Sequence, residues 1–298
     1  MLAFGVDHPY GRAPQGLPSS VAKIERTDLA SYHQTYWKPG TSAVVFAGDI
    51  SMDKAMKLAG DAFGSWAAGS APAVTIPAPR PAQPGRIYLV DRQDAAQTVV
   101  SQILPGPKRM VDDYYAFRLV DAVWGGGGFG TRLNLNLRED KGYSYGVFST
   151  IVNYNDFGMW YASGGVQTDK TKESVVEFAK EMTNLAGAKP ITQAELTVAQ
   201  QGRVRGYSQQ FESLSRITGQ IATLWVQGLP MTELQREVDA TGAATMADVM
   251  AASKKYVNPD KLSLLLVGDL AKIEPGIRSL NLGEVVVLDV EGKPVTKK

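Results

Sequence analysis

The sequence predicts an α+β fold, an antiparallel sheet covered by helices, in one complete domain preceded by the C-terminal part of a homologous one. Three observations carry this. Strand-type alternation comes in consecutive pairs with helical stretches between them, as in a sheet with helices segregated to one face. A proline-rich stretch divides the chain, with Pro72, Pro77, Pro79, Pro81 and Pro84 among Ala and Ser. The tail also repeats the head: Asp28, Tyr36, Pro39 and Gly48-Asp49 recur as Asp248, Tyr256, Pro259 and Gly268-Asp269, always 220 residues on.

The two copies are preceded by unequal lengths of chain. Only 27 residues stand before Asp28, whereas roughly 160 separate Gly85 from Asp248. If the copies are equivalent, the first lacks much of a domain at its front. The expected organisation is 1–67 as the C-terminal part of a first domain, 68–85 as a linker, and 86–298 as a complete second domain.

The elements follow in order. Residues 18–37 read as one or two helices, with Thr27 as N-cap and Leu29, Tyr32, His33 and Tyr36 at helical spacing. Pro39-Gly40 stops them, 43–47 reads as a strand, and 51–66 as an amphipathic helix. Beyond the linker, 86–91 and 98–104 are strands and 111–123 a helix, broken at 125–128. A helix is expected at 131–139. Residues 143–152 and 157–166 form a hairpin around Asn153-Tyr154-Asn155-Asp156, whose side chains favour turns. Val175, Phe178, Met182 and Leu185 mark one face of a long helix, and Thr192 with Glu195 forms a capping box opening the next. Residues 284–288 close the sheet.

Composition excludes several classes. The formal net charge of +1 gives no electrostatic case for nucleic acid or an anionic membrane as the main partner. With no cysteine, disulfides, thiolate metal sites and a cysteine nucleophile are ruled out. The longest apolar runs are too short to span a bilayer.

Few motifs carry chemistry. Gly125, Gly127 and Gly130 satisfy G-x-G-x-x-G. A dinucleotide site needs a strand before the glycines, and here Ala116, Leu119, Val120 and Val123 precede them at helical spacing. A helix–helix turn is the reading. The two histidines, His8 and His33, have no acidic residue spaced to complete a local metal site. No G-x-S-x-G elbow singles out a serine. One constellation stands out, from Leu137-Arg138-Glu139-Asp140-Lys141 through a Gly142 cap into Tyr143-Ser144-Tyr145. Alternation puts Tyr145 on the strand face of Tyr143 and Val147. Arg138 and Tyr145 at one mouth suit a clamp on a peptide carbonyl or a developing oxyanion. They equally suit an arginine offsetting a helix dipole and a tyrosine half buried in a sheet.

At these residues the chain resembles the insulinase (pitrilysin-type) zinc metallopeptidase family, which includes mitochondrial processing peptidase, and in particular its smaller bacterial members. The matching pieces are His8-Pro9-Tyr10-Gly11-Arg12, the stretch from Tyr36 to Gly48-Asp49, 125–133 with 137–145, Val166-Gln167-Thr168-Asp169-Lys170, and Pro259 to Gly268-Asp269. The resemblance implies two homologous α+β domains around an extended peptide. The first carries zinc on an H-x-x-E-H motif and a distal glutamate, and the second, metal-free, supplies an arginine and a tyrosine seven residues apart. Arg138 and Tyr145 match that pair, so the resemblance favours the clamp.

No H-x-x-E-H occurs in the sequence. The expectation is therefore a substrate-binding portion with no metal ligand of its own, and with zinc in a missing domain or a partner subunit. Its partners would be a peptide and a second copy or a zinc-bearing family subunit, with neither nucleic acid nor membrane. The alternative is a non-catalytic assembly subunit, like the family's core proteins in respiratory complexes. The compartment is not readable from the sequence, and the resemblance points to the periplasm. Residues 18–66, with sheet partners missing, are expected to self-associate or require a partner.

Overall fold

A computed structural model describes residues 1–5, 7–79 and 84–295, and the middle of the linker, including Pro81, lies outside the described residues. The chain forms two compact units. The larger comprises Met1–Arg12, Ala78–Val204 and Glu237–Lys298, and the smaller Ala13–Pro77 and Arg205–Arg236. The first twelve residues pack with the larger unit, through rings that sequence spacing could not reveal, and 205–236 pack with the smaller.

In the larger unit six strands form one sheet: β1 (Arg86–Asp91), β2 (Gln97–Gly106), β3 (Ser144–Asn153), β4 (Gly158–Gln167), β5 (Ser263–Gly268) and β6 (Glu284–Leu288). Their order is β3-β4-β2-β5-β1-β6. β2 runs antiparallel to β4 and β5, and β3 to β4, while β1 runs parallel to both of its neighbours. Alternation along β2 buries Thr98, Val100, Gln102 and Leu104 and leaves Val99 exposed, so the sheet has one helix-covered face and one open face.

The covered face packs against helices Tyr114–Asp121, Thr171–Thr183, Met246–Tyr256 and Leu270–Arg278. Phe117 and Val120 from the first of these, Phe178 and Met182 from the second, and Val249 and Ile273 from the others are fully or almost fully buried. Each such large apolar side chain contributes roughly 1.5–3 kcal/mol. Trp160 of β4 is the centre, its ring 4.3 Å from Trp124 and 5.1 Å from Phe117. Its indole Nε1–H donates to buried Asp121 Oδ1 at 2.8 Å, and Ser149 Oγ–H donates to the same oxygen at 2.5 Å.

The first residues dock on the β3–β4 turn. Tyr10 stacks on Tyr154 at 3.8 Å, and Phe4 and His8 pack edge-on against Tyr154 and Phe157. His8 Nδ1 accepts from the Tyr10 backbone N–H at 3.1 Å.

The smaller unit contains helices Pro18–Val21, Arg26–Tyr36, Met52–Phe63 and Leu214–Val226. The repeat is visible in three dimensions. Helices Arg26–Tyr36 and Met246–Tyr256 share a length of 11 residues, and turns Pro39–Thr41 and Pro259–Lys261 follow each at the same offset. Asp28 accepts from the Glu25 N–H at 2.9 Å, as Asp248 does from Thr245 at 2.8 Å. The N-cap is therefore Glu25 rather than Thr27: the carboxylate that closes the first turn sits three residues beyond it.

The copies then diverge. Residues 263–268 are strand β5, whereas 43–47 form no strand. A strand is completed only by ladder hydrogen bonds to a neighbour, and among the described residues none pairs with 43–47. Val44 and Phe46 are exposed, as are Leu29, Tyr32, Trp37, Met52 and Met56 on the adjoining helices.

Candidate functional site

Arg138 and Tyr145 approach one another at the open face of the sheet. The chain enters through residues 125–130. Gly125 packs flat against β3, where an added Cβ would stand 2.7 Å from Ser149 Oγ and 2.8 Å from its backbone nitrogen. Gly128 takes a φ of 94°, in the region glycine favours. This is the expected turn between helical segments, and it carries one large side chain, Phe129, to the surface.

The helical run Arg132–Asn134 continues as a wider, π-type turn over Leu135–Asp140. Such widenings are frequent at functional sites. Gly142, at φ 64°, closes it, its N–H donating to the Arg138 carbonyl at 3.1 Å. Asn134 fixes the run to the sheet: its Oδ1 accepts from the Val147 N–H at 2.8 Å and its Nδ2 donates to the Val147 carbonyl at 2.7 Å. Arg138 lies one helical turn further on.

β3 is an edge strand with a bulge beside Tyr145. Ser144 pairs with Val166 and Val147 with Gly164, so three residues are spanned where the partner spans two. Ser144 stitches the bulge, donating to the Gly165 carbonyl at 2.7 Å and accepting from the Gly146 N–H at 3.1 Å. The extra residue reverses the alternation that sequence spacing implied. Tyr145 does not share a face with buried Val147. It stands on the open face, 80% exposed, with exposed Phe148.

The guanidinium of Arg138 lies over the Phe129 ring at 4.2 Å and near the Tyr145 ring at 5.6 Å. Phe129 meets Tyr145 edge-on at 6.5 Å and Phe148 at 5.5 Å. Arg138 NH1 also donates to Glu139 Oε1 at 2.7 Å. A cation with spare donors, an exposed phenol and two exposed rings thus form one patch. It is able to hold a carbonyl oxygen beside an apolar side chain.

Sequence reasoning placed Arg138 and Tyr145 at this mouth and missed Phe129, Asn134 and Ser144. Asn134 left one usable signal, a polar side chain one helical turn before Arg138. His8 lies in the larger unit and His33 in the smaller, stacked on Trp37 at 5.4 Å. Among the described residues no three His, Cys, Asp or Glu side chains gather into a group that could hold a metal ion. The donor set does not fit zinc. No described helix is long and apolar enough to cross a membrane.

Residues 23–203 match the sequence pattern described as the peptidase M16 inactive domain. An uncharacterized zinc protease of Mycobacterium tuberculosis is 30% identical over 210 residues, covering 67% of this chain and 45% of the relative. The crystal structure of a peptidase M16 inactive domain from Pseudomonas fluorescens matches with a TM-score of 0.80 at 26% identity, over 90% of this chain and 63% of that one. A protease from Helicobacter pylori shares the fold, with a TM-score of 0.73 at 20% identity over 87% of this chain and 63% of its own. The chain spans less than half the length of the mycobacterial relatives it matches.

Proposed function

We propose that this chain, which belongs to the peptidase M16 inactive-domain family, is the substrate-binding, zinc-free portion of a metalloendopeptidase. In this reading Arg138 and Tyr145 contact a bound peptide, and a zinc-bearing domain or partner subunit supplies the metal chemistry. The observation that carries the reading is the convergence of Arg138, Tyr145 and Phe129 on the open face of an edge strand.

The chemistry of the patch supports it. The Tyr145 hydroxyl has no hydrogen-bond partner among the described residues, and the Arg138 guanidinium spends one N–H on Glu139. Both retain donors for a peptide carbonyl, whose oxygen becomes more negative as a tetrahedral centre forms. Phe129 and Phe148 add an apolar ledge for a neighbouring side chain.

The test is reconstitution of the chain with a zinc-bearing domain of its own family and measurement of kcat/KM on a quenched peptide. Arg138→Ala and Tyr145→Phe are each expected to lower it by about tenfold or more. Unchanged turnover with intact assembly would instead favour a non-catalytic subunit.

A further inference from the structure

A cleft of about 560 Å³ opens between the glycine-rich run and helix Gln193–Gly206, and its lining residues all belong to the larger unit. Val123, Leu135 and Ala199 make its walls apolar, and Gly126 and Gly127 line it without side chains. Neither Arg138 nor Tyr145 lines it.

Two arginines line the cleft, in opposite bonding states. Arg132 is largely engaged: its Nε and NH2 donate to the two oxygens of Glu195 at 2.7 and 2.8 Å, its NH1 to the Lys189 carbonyl at 2.6 Å and its NH2 also to the Pro190 carbonyl at 3.0 Å. Arg203 donates no hydrogen bond among the described residues. Its nearest carboxylate oxygen, Asp121 Oδ2, is 3.9 Å away, and the other oxygen of Asp121 is taken by Ser149 and Trp160. Arg118 is paired with Glu237 at 2.6 Å and offers Arg203 no acceptor.

A guanidinium only 24% exposed, with unspent donors, is an unfavourable arrangement unless something accepts from it. Burial, followed by the nearby Arg118 charge, lowers its pKa to about 10, so it stays cationic at neutral pH. A single planar cation matches the two oxygens of a carboxylate. Aliphatic walls match a small branched body attached to it.

We infer that this cleft binds a carboxylate carried on a small aliphatic body, the chemistry of a peptide's C-terminal residue, with Arg203 as the anchoring cation. The inference does not rest on the role given to Arg138 and Tyr145.

Titration of the full chain with N-acetyl-leucine and with N-acetyl-leucinamide, followed by amide NMR, tests it. The acid should shift the amides of Gly126, Gly127 and Ala199, and the neutral amide should bind about tenfold more weakly or worse. Arg203→Gln should abolish binding of the acid. Val198, which lines the cleft and is 72% exposed, provides a variant that spares the core: Val198→Glu should weaken binding and Val198→Lys tighten it. If Arg203→Gln fails to fold, the Val198 pair decides. Equal affinity for acid and amide, shifts absent from these glycines, or indifference to the charge at position 198 would each overturn the assignment.

Discussion

Asn134 grips Val147 with both ends of its amide, accepting from its N–H at 2.8 Å and donating to its carbonyl at 2.7 Å. The side chain takes the place of a neighbouring strand at the point where β3 leaves its bulge. Asn134→Ala would leave both backbone groups buried and unpaired, at roughly 1–3 kcal/mol for each group. Urea denaturation should show a loss of about 2–4 kcal/mol. A loss below about 0.5 kcal/mol, the usual range for surface changes, would mean that these bonds do not hold the site together.

Phe129 should matter to Arg138 more than to the fold. Its ring is 46% exposed and carries the guanidinium at 4.2 Å. A stack at an exposed site contributes about 0.5–1 kcal/mol. Phe129→Ala should therefore leave the melting temperature nearly unchanged while weakening peptide binding about two- to fivefold, and Phe129→Tyr should restore it. A large fall in stability, or no rescue by tyrosine, would assign the ring a different role.

Gly125 is required by contact rather than by conformation. A methyl group there would press on the Ser149 backbone of β3. Gly125→Ala should cost about 1–3 kcal/mol, the usual range for overpacking, whereas Gly130→Ala, with open space around its Cα, should cost less. Thermal melts of the two variants compare them directly, and an equal effect would contradict the packing seen at Gly125.

Acid should loosen the start of helix Gln193–Gly206. Hydrogen bonds from Arg132, helped by Thr192, hold the Glu195 carboxyl at about 2 against the desolvation that opposes them. A carboxyl whose folded pKa lies below its unfolded value stabilises above the unfolded value, near 4.5, and that contribution fades as pH falls towards 2. The pair is partly solvated, so the contribution is about 1 kcal/mol. The stability difference between the native chain and Arg132→Gln should shrink between neutral pH and pH about 3. A difference that stays constant across that range would place the stabilisation elsewhere.

Much of this fold was legible from periodicity and spacing. β1 and β6 occupy 86–91 and 284–288 as alternation indicated, and the hairpin turns at Tyr154. The repeat was legible because the helix, its capping carboxylate and the Pro turn recur in one register. What failed to show depends on contacts that spacing does not encode. Alternation puts Tyr145 on the face of Tyr143 and Val147 because it assumes an unbroken strand, and the bulge is held by Ser144 bonding the Gly165 carbonyl on the neighbouring strand. The strand expected at 43–47 did not form because a strand needs a paired neighbour, and none of the described residues pairs with it. Phe129 was hidden among glycines that read as a turn. The family was recognisable from motifs in sequence order, whereas the surroundings of the Arg/Tyr pair needed coordinates.

The most direct test of the proposed role is fluorescence anisotropy of a labelled peptide with the chain alone, comparing the native sequence with Arg138→Ala, Tyr145→Phe and, as a control in the smaller unit, Lys57→Ala. Lys57 sits on an exposed helix and, among the described residues, pairs with Asp61 alone. A substrate-binding site predicts weak but saturable binding that falls about fivefold or more in the first two variants and not in the third. Binding that is unchanged in all three would contradict the role assigned to Arg138 and Tyr145.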